Sequence, residues 1–277
     1  MKKLVYIVLI LILLTSAIIV TEDGTAKAVM LKKKDNIIPI LMYHHVVKEG
    51  NKTNKITLTT GRFREDMEYL KKKGYVTISF KELIDCYEGK TKFPKKPILI
   101  TLDDGYEDNY KNAYPILKKN NMKATMFVIG SRVGITNFNN DSRYSYFSWG
   151  QAKKMYQSGL IEIQPHSYDL HNYKYNSKHG QGVLPENGEN KKEYYNRFLK
   201  DTEKVTKLIK AHVGCKSYVY AYPYGKYTST NEEVLKRLNF KVTLTTKSKY
   251  ADISNGLYGL KRINVPDRKK LKELLLY

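Results

Sequence analysis

Thr101-Leu102-Asp103-Asp104-Gly105-Tyr106 places two carboxylates side by side at the end of an apolar run, Pro97 to Leu102. That run is continuous rather than alternating, the pattern of a strand buried on both faces. Adjacent buried carboxylates repel each other, and desolvation raises the cost of ionising them. The pair therefore calls for a cation or a fixed basic partner. Further on, His166-Ser167-Tyr168-Asp169-Leu170-His171 supplies two imidazoles, the natural complement of a carboxylate around a transition metal. A spacing of five does not put both on one helical face, so a strand end running into a turn has to converge them. Two loop histidines alone would say little; beside Asp-Asp-Gly at another strand end they indicate a metal centre. One Asp with two His leaves coordination positions open, and the remaining aspartate is free to act as a base.

The elements that must position these groups alternate between strand and helix. Strands are expected at Asn36–Tyr43, Tyr75–Ile78, Pro97–Leu102, Ala124–Ile129, Ile161–Pro165, Tyr218–Tyr222, Lys241–Thr245 and Leu260–Val265. Pro39 suits an edge or an early bulge. Helices are expected from Thr60 to Gly74, after Ser79, over Asn109–Asn120, after Ser148, from Lys191 to about His212, after Thr230 and at the carboxyl end. Ser79 with Glu82, and Ser148 with Gln151, read as capping boxes. Pro115 implies a kink or a late start in its helix. The polar stretch Asn172–Asn190 is a candidate binding loop. Such alternation, about seven times over, predicts an α/β fold with a parallel sheet, open or closed into a barrel. Asp103, Asp104, His44, His166 and Pro223-Tyr224-Gly225 all follow an expected strand. In a parallel barrel those carboxyl ends share one face, the face that carries active sites.

The chain of 277 residues suffices for one large domain, and its formal net charge is +22. Such a charge suits anionic surroundings, a cell wall or a membrane surface. No nucleic-acid-binding signature accompanies it, and no nucleic-acid partner is expected. Only Cys86 and Cys215 are present, which rules out a cysteine metal site and leaves their pairing open. Met1-Lys2-Lys3, the uncharged run Leu4 to Val20 and Ala26-Lys27-Ala28 make residues 1–28 a signal peptide or a retained membrane anchor. Residues 29–277 are then a domain that works outside the cytoplasmic membrane, secreted or at the cell surface, with a monomer expected.

Thr101-Leu102-Asp103-Asp104-Gly105 with His166-Ser167-x-x-x-His171 resembles the polysaccharide deacetylases of carbohydrate esterase family 4, over roughly Ile37 to Val265. The resemblance implies a distorted (β/α) barrel of about seven strands. It also implies a divalent ion, zinc or another transition metal, on Asp104, His166 and His171, with Asp103 as base. Tyr222-Pro223-Tyr224-Gly225 resembles the family's third motif, which implies oxyanion or substrate contacts there, the Tyr224 N–H among them. That motif lacks the usual Arg before its Pro, and Arg262 is the candidate replacement, against an ordinary surface arginine. The chain has no His after His212. Pro39-Ile40-Leu41-Met42-Tyr43-His44 resembles instead the subgroup acting on poly-β-1,6-N-acetylglucosamine, which takes its acid from an early strand. His44 is the implied acid, with His45 as the fallback. Trp149 and loop tyrosines are candidate sugar platforms, though packing would explain each as well. A deacetylase of peptidoglycan or chitin-like oligomers and a silent polysaccharide-binding surface protein are the rival readings.

Overall fold

The computed structural model describes residues 36–173 and 181–275; residues 1–28 and part of the Asn172–Asn190 stretch lie outside them. Seven strands make the wall of a barrel: β1 Ile40–Tyr43, β2 Pro97–Leu102, β3 Ala124–Ile129, β4 Ile161–Ser167, β5 Val219–Ala221, β6 Val242–Leu244 and β7 Ile263–Asn264. The ladder runs β7-β1-β2-β3-β4, all parallel, and β5 pairs with β6, also parallel. A parallel bridge from Leu244 to Leu260 leads from β6 back towards β7 and closes the ring on that side. Between β4 and β5 no backbone ladder forms among the described residues. Side chains fill that seam: Gln164 Oε1 accepts from the Tyr218 and Val219 amides at 3.0 and 3.2 Å, and its Nε2 donates to Lys216 O at 3.1 Å. This break is the distortion in the barrel.

Strand periodicity separates the two faces. Ile98, Ile100 and Leu102 of β2 join the core beneath the surrounding helices, whereas Leu99 belongs to a second core with Ile40, Phe127, Ala221 and Leu244. Leu99, Thr101 and Asp103 therefore share the inner face. On β1 the same parity sends Ile40, Met42 and His44 inwards, and sends Leu41, Tyr43 and His45 the other way.

Helix α1 Thr60–Lys72 and α2 Phe80–Tyr87 separate β1 from β2. Helix α3 Tyr114–Lys119 precedes β3, and α4 Trp149–Gln157 precedes β4. The long α5 Lys191–Val213, then α6 Ser229–Arg237 and the short α7 Leu271–Leu274, complete the layer. The capping boxes at Ser79 and Ser148 form as expected. The helix expected over Asn109–Asn120 does not run through. Asn109–Ala113 is a π-helical turn, and the α-helix starts at Tyr114 with Pro115 in its first turn. Proline tolerates that position because the first-turn N–H groups have no intrahelical partner. Pro39 sits at a break just before β1. Short parallel strands His45–Val47 and Thr57–Thr59 were not expected, nor was the antiparallel pair Ile37–Ile38 with Ala251–Asp252. Cys86 and Cys215 are both buried and free.

Candidate active site

The chain bends sharply where β2 ends. Asp104 has φ +74° and Gly105 φ +81°. In a straight strand consecutive side chains leave by opposite faces. The left-handed turn at Asp104 lets both carboxylates stay at the mouth, and a short acidic side chain tolerates that backbone better than most. A Cβ on Gly105 would press on Val128 Cγ1 at 3.3 Å, in addition to the strain of its φ.

Each aspartate meets a different partner. Asp103 is 1% exposed and Arg262 is 0% exposed. The Arg262 fork donates from Nη1 to Asp103 Oδ1 and from Nη2 to Oδ2, both at 2.7 Å. Its Nε donates to Thr245 O at 3.0 Å and its Nη1 also to Thr101 Oγ1 at 3.1 Å. Arg262 is thus inside the barrel and not at the surface. Burial pushes the Asp103 carboxyl up, but the Arg262 guanidinium and then His166 reverse this and hold it below the usual carboxylate range.

Asp104 Oδ1 lies 3.4 Å from His166 Nε2 and 3.2 Å from His171 Nε2. One donor atom from each residue falls within 4.8 Å of the others. Yet the buried Asp104 Oδ1 has no hydrogen-bond partner. An unsatisfied buried carboxylate oxygen facing two ring nitrogens is a set of donors that a cation would satisfy. His166 Nδ1 is 2.7 Å from Ala221 O across the seam. That contact fixes the proton on Nδ1 and turns the Nε2 lone pair to Asp104. Burial pushes the His166 imidazole down to about 4, so it is neutral at physiological pH, as a ligand must be. Burial raises the Asp104 carboxyl, but His171, His44 and His166 outweigh it and hold it well below its ordinary value. The residues fit a single divalent ion with nitrogen and oxygen ligands.

A bulge aims His166. The β3–β4 register runs Val128 with Pro165, then Ile129 with Ser167, so His166 is the extra residue. Pro165 has no N–H to give a ladder, and Ser167 is held at φ +142°. Beyond the bulge, Asp201 of α5 accepts the Tyr168 and Asp169 amides, both at 2.8 Å, and shapes the turn towards His171. Arg132 Nη2 donates to the His171 carbonyl at 3.1 Å. Neither Asp201 nor Arg132 carries a sequence signal for this task, because both act on backbone atoms.

His44 Nε2 is 4.0 Å from Asp103 Oδ2, on the inner face. Burial lowers its imidazole, and the Asp103 and Asp104 carboxylates oppose this only in part. His45 leaves the barrel: its Nδ1 is 2.6 Å from Asp108 Oδ2 and its ring stacks on Tyr106 at 3.5 Å. Tyr224 has φ +57° in the turn Pro223–Gly225, and its ring is 4.6 Å from that of His171. The side chain of Tyr222, expected among the substrate contacts, is turned away from the mouth. Its ring is fully buried on the helix side of β5, 5.6 Å from Tyr220 and 4.5 Å from Tyr227, because it follows Tyr220 at the same parity. Trp149 packs against the core and stacks with His212 at 5.1 Å, the packing role expected as its alternative.

A distorted parallel barrel whose mouth gathers one carboxylate, two imidazoles and a second, separately held carboxylate defines a hydrolase of the barrel deacetylase class. A model of the polysaccharide deacetylase family matches residues 90–243. The Bacillus subtilis protein YxkH is 32% identical over 231 residues, covering 82% of this chain and 71% of the relative. The poly-β-1,6-N-acetyl-D-glucosamine N-deacetylase of Staphylococcus aureus is 30% identical over 239 residues, covering 82% and 78%. The solved de-N-acetylase of Aggregatibacter actinomycetemcomitans superposes with a TM-score of 0.74 at 26% identity, covering 86% of this chain and all of that one. The chain belongs to the polysaccharide deacetylase family, and it is an enzyme, a polysaccharide deacetylase.

Proposed function

We propose that this enzyme removes N-acetyl groups from extracellular poly-β-1,6-N-acetylglucosamine, using one divalent ion for which zinc is a good match. The observation that carries the reading is the unsatisfied Asp104 Oδ1 between two imidazoles, beside an Asp103 already neutralised by Arg262. The placement of His44 on the inner face and the similarity to the Staphylococcus aureus enzyme favour the β-1,6 polymer.

Held by Asp104, His166 and His171, the ion would supply an activated water and polarise the acetamide carbonyl. Asp103 accepts the proton of the attacking water at a carboxylate oxygen, while the Arg262 fork keeps that carboxylate ionised and oriented. The Tyr224 amide donates to the carbonyl oxygen as negative charge builds on it. His44 gives a proton to the sugar nitrogen as the C–N bond breaks, releasing acetate and a free amine. The amine is cationic at neutral pH, so the product polymer would adhere to anionic surfaces, a role in adhesion or biofilm. Residues 1–28 as a signal or anchor would deliver the domain outside the membrane. The strongly positive charge of the chain, +22 over its full length, would keep it near an acidic wall or lipid surface.

Acetate release from defined β-1,6 and β-1,4 oligomers, with and without chelator, tests the proposal. Faster turnover of the β-1,6 oligomer, lost on chelation and restored by zinc, is expected. Preference for β-1,4 oligomers would move the substrate to peptidoglycan or chitin-like chains, and full turnover without metal would overturn the site. Asp103→Asn should abolish turnover while metal content, read by mass spectrometry, stays at one ion per chain.

A further inference from the structure

The segment that delivers Asp103 and Asp104 turns back on the end of β1 at Asp108. There it opens into the π-helical turn Asn109–Ala113. Pro115 accounts for the widening: it offers no N–H, and its ring would strike the carbonyl of Lys111 in a regular helix. The wide turn aims three polar side chains at His44-His45-Val46. Asn109 Nδ2 donates to the His44 carbonyl at 2.7 Å and to Asp108 Oδ1 at 2.8 Å. Asp108 Oδ1 accepts the Val46 amide at 3.1 Å, and its Oδ2 takes the His45 ring at 2.6 Å. Asn112 Nδ2 donates to the Val46 carbonyl at 2.7 Å.

His44 needs such a grip. It falls in the break between β1 and the strand His45–Val47, where regular pairing is interrupted. Asn109 is 0% exposed, and its Oδ1 has no hydrogen-bond partner. Burying an amide with one end unsatisfied is costly. The contacts of its other end, to His44 and Asp108, are what the position retains for that cost.

We propose that Asp108, Asn109 and Asn112 are positioning residues that fix where His44 stands relative to Asp103. Base, metal ligand and the clamp on the acid then all belong to one segment, Asp103 to Asn112, and hold a common geometry. This rests on the reading of His44 as the proton donor to the departing amine.

A double-mutant cycle separates positioning from general support of the fold. Acetate release from a β-1,6-linked N-acetylglucosamine oligomer is measured on the zinc-loaded protein for Asn109→Ala and Asn112→Ala. Each is made alone and together with His44→Ala. Asn109→Ala is expected to lower kcat by about tenfold to hundredfold, the effect of a misplacement near 1 Å. KM and metal content should stay close to wild type. In the His44→Ala background the same substitution should cost nothing further. Equal loss in both backgrounds would overturn the clamp. If Asn109→Ala does not fold, Asn112→Ala at its partly exposed position carries the same cycle. If His44→Ala alone leaves kcat intact, the acid assignment fails and the clamp falls with it. If His44→Ala slows the enzyme and Asn109→Ala multiplies the loss, only the clamp fails.

Discussion

Asp103 and Asp104 are neighbours in the chain but face different partners, a guanidinium fork for one and two imidazoles for the other, and that division suits them to different chemistry. The carboxylates and imidazoles were legible in the sequence because their types and order after strands are informative. Arg262 was legible only as an alternative, because it reaches Asp103 from 159 residues away. Its burial, not its sequence context, shows that it cannot be a surface residue. Replacing it tests the assignment. In Arg262→Met, burial of Asp103 is no longer opposed by the guanidinium, so the carboxyl value rises. The acid limb of the kcat/KM profile should therefore move to higher pH, with the neutral rate reduced. Arg262→Lys keeps the charge without the fork and should move it less. The depressed value of Asp103 contributes stability that is present above the unfolded carboxylate value and lost as pH falls through the folded one. Arg262→Met should remove it, with an unfolding cost of about 3–5 kcal/mol for a broken buried pair. An unmoved acid limb would show that Arg262 does not set the base.

At the scale of elements, strand periodicity and capping boxes were readable, since both depend on local spacing. The bulge at His166 and the open seam between β4 and β5 were not, because each is a relation between strands. Pro165 was the one local hint of the bulge. The same holds for Asp201, whose helix was foreseen but whose grip on Tyr168 and Asp169 was not. Burial raises Asp201 to about 6 despite those two amides. A folded value above the unfolded one contributes stability that is fully present below about pH 4 and lost as pH rises through about 6. A carboxyl moved that far is worth up to about 3 kcal/mol. A carboxamide in its place does not titrate, so the deficit of Asp201→Asn relative to wild type should be largest near pH 4. The deficit in Tm should shrink as pH rises to 6. Melting curves across that range decide it; a deficit that grew with pH would mean that the ionised carboxylate is the stabilising form.

For the whole molecule, among the described residues, ladders join the β7-β1-β2-β3-β4 and β5-β6 strands, a lone bridge links β6 towards β7, and between β4 and β5 the Gln164 and His166 side chains stand in for backbone pairing. The proposed ligands lie beside that weak side. Asp104 follows β2, His166 lies in β4, and His171 lies beyond it, with β3 between the first two. An ion at this point would join segments that no ladder joins directly, and it would favour the folded state by an amount that grows with the logarithm of its free concentration above the dissociation constant. At a free concentration one hundred times its dissociation constant it adds about 2.7 kcal/mol. For a domain of this size that corresponds to about 5–10 °C in Tm. Zinc-saturated protein should therefore melt higher than chelator-treated protein by that margin in differential scanning. His171→Ala, which removes one ligand from the mouth without touching the barrel wall, should flatten the response. A shift of the same size in that variant would place the stabilising ion elsewhere on the chain, and the reading of the mouth as a metal centre would fall with it.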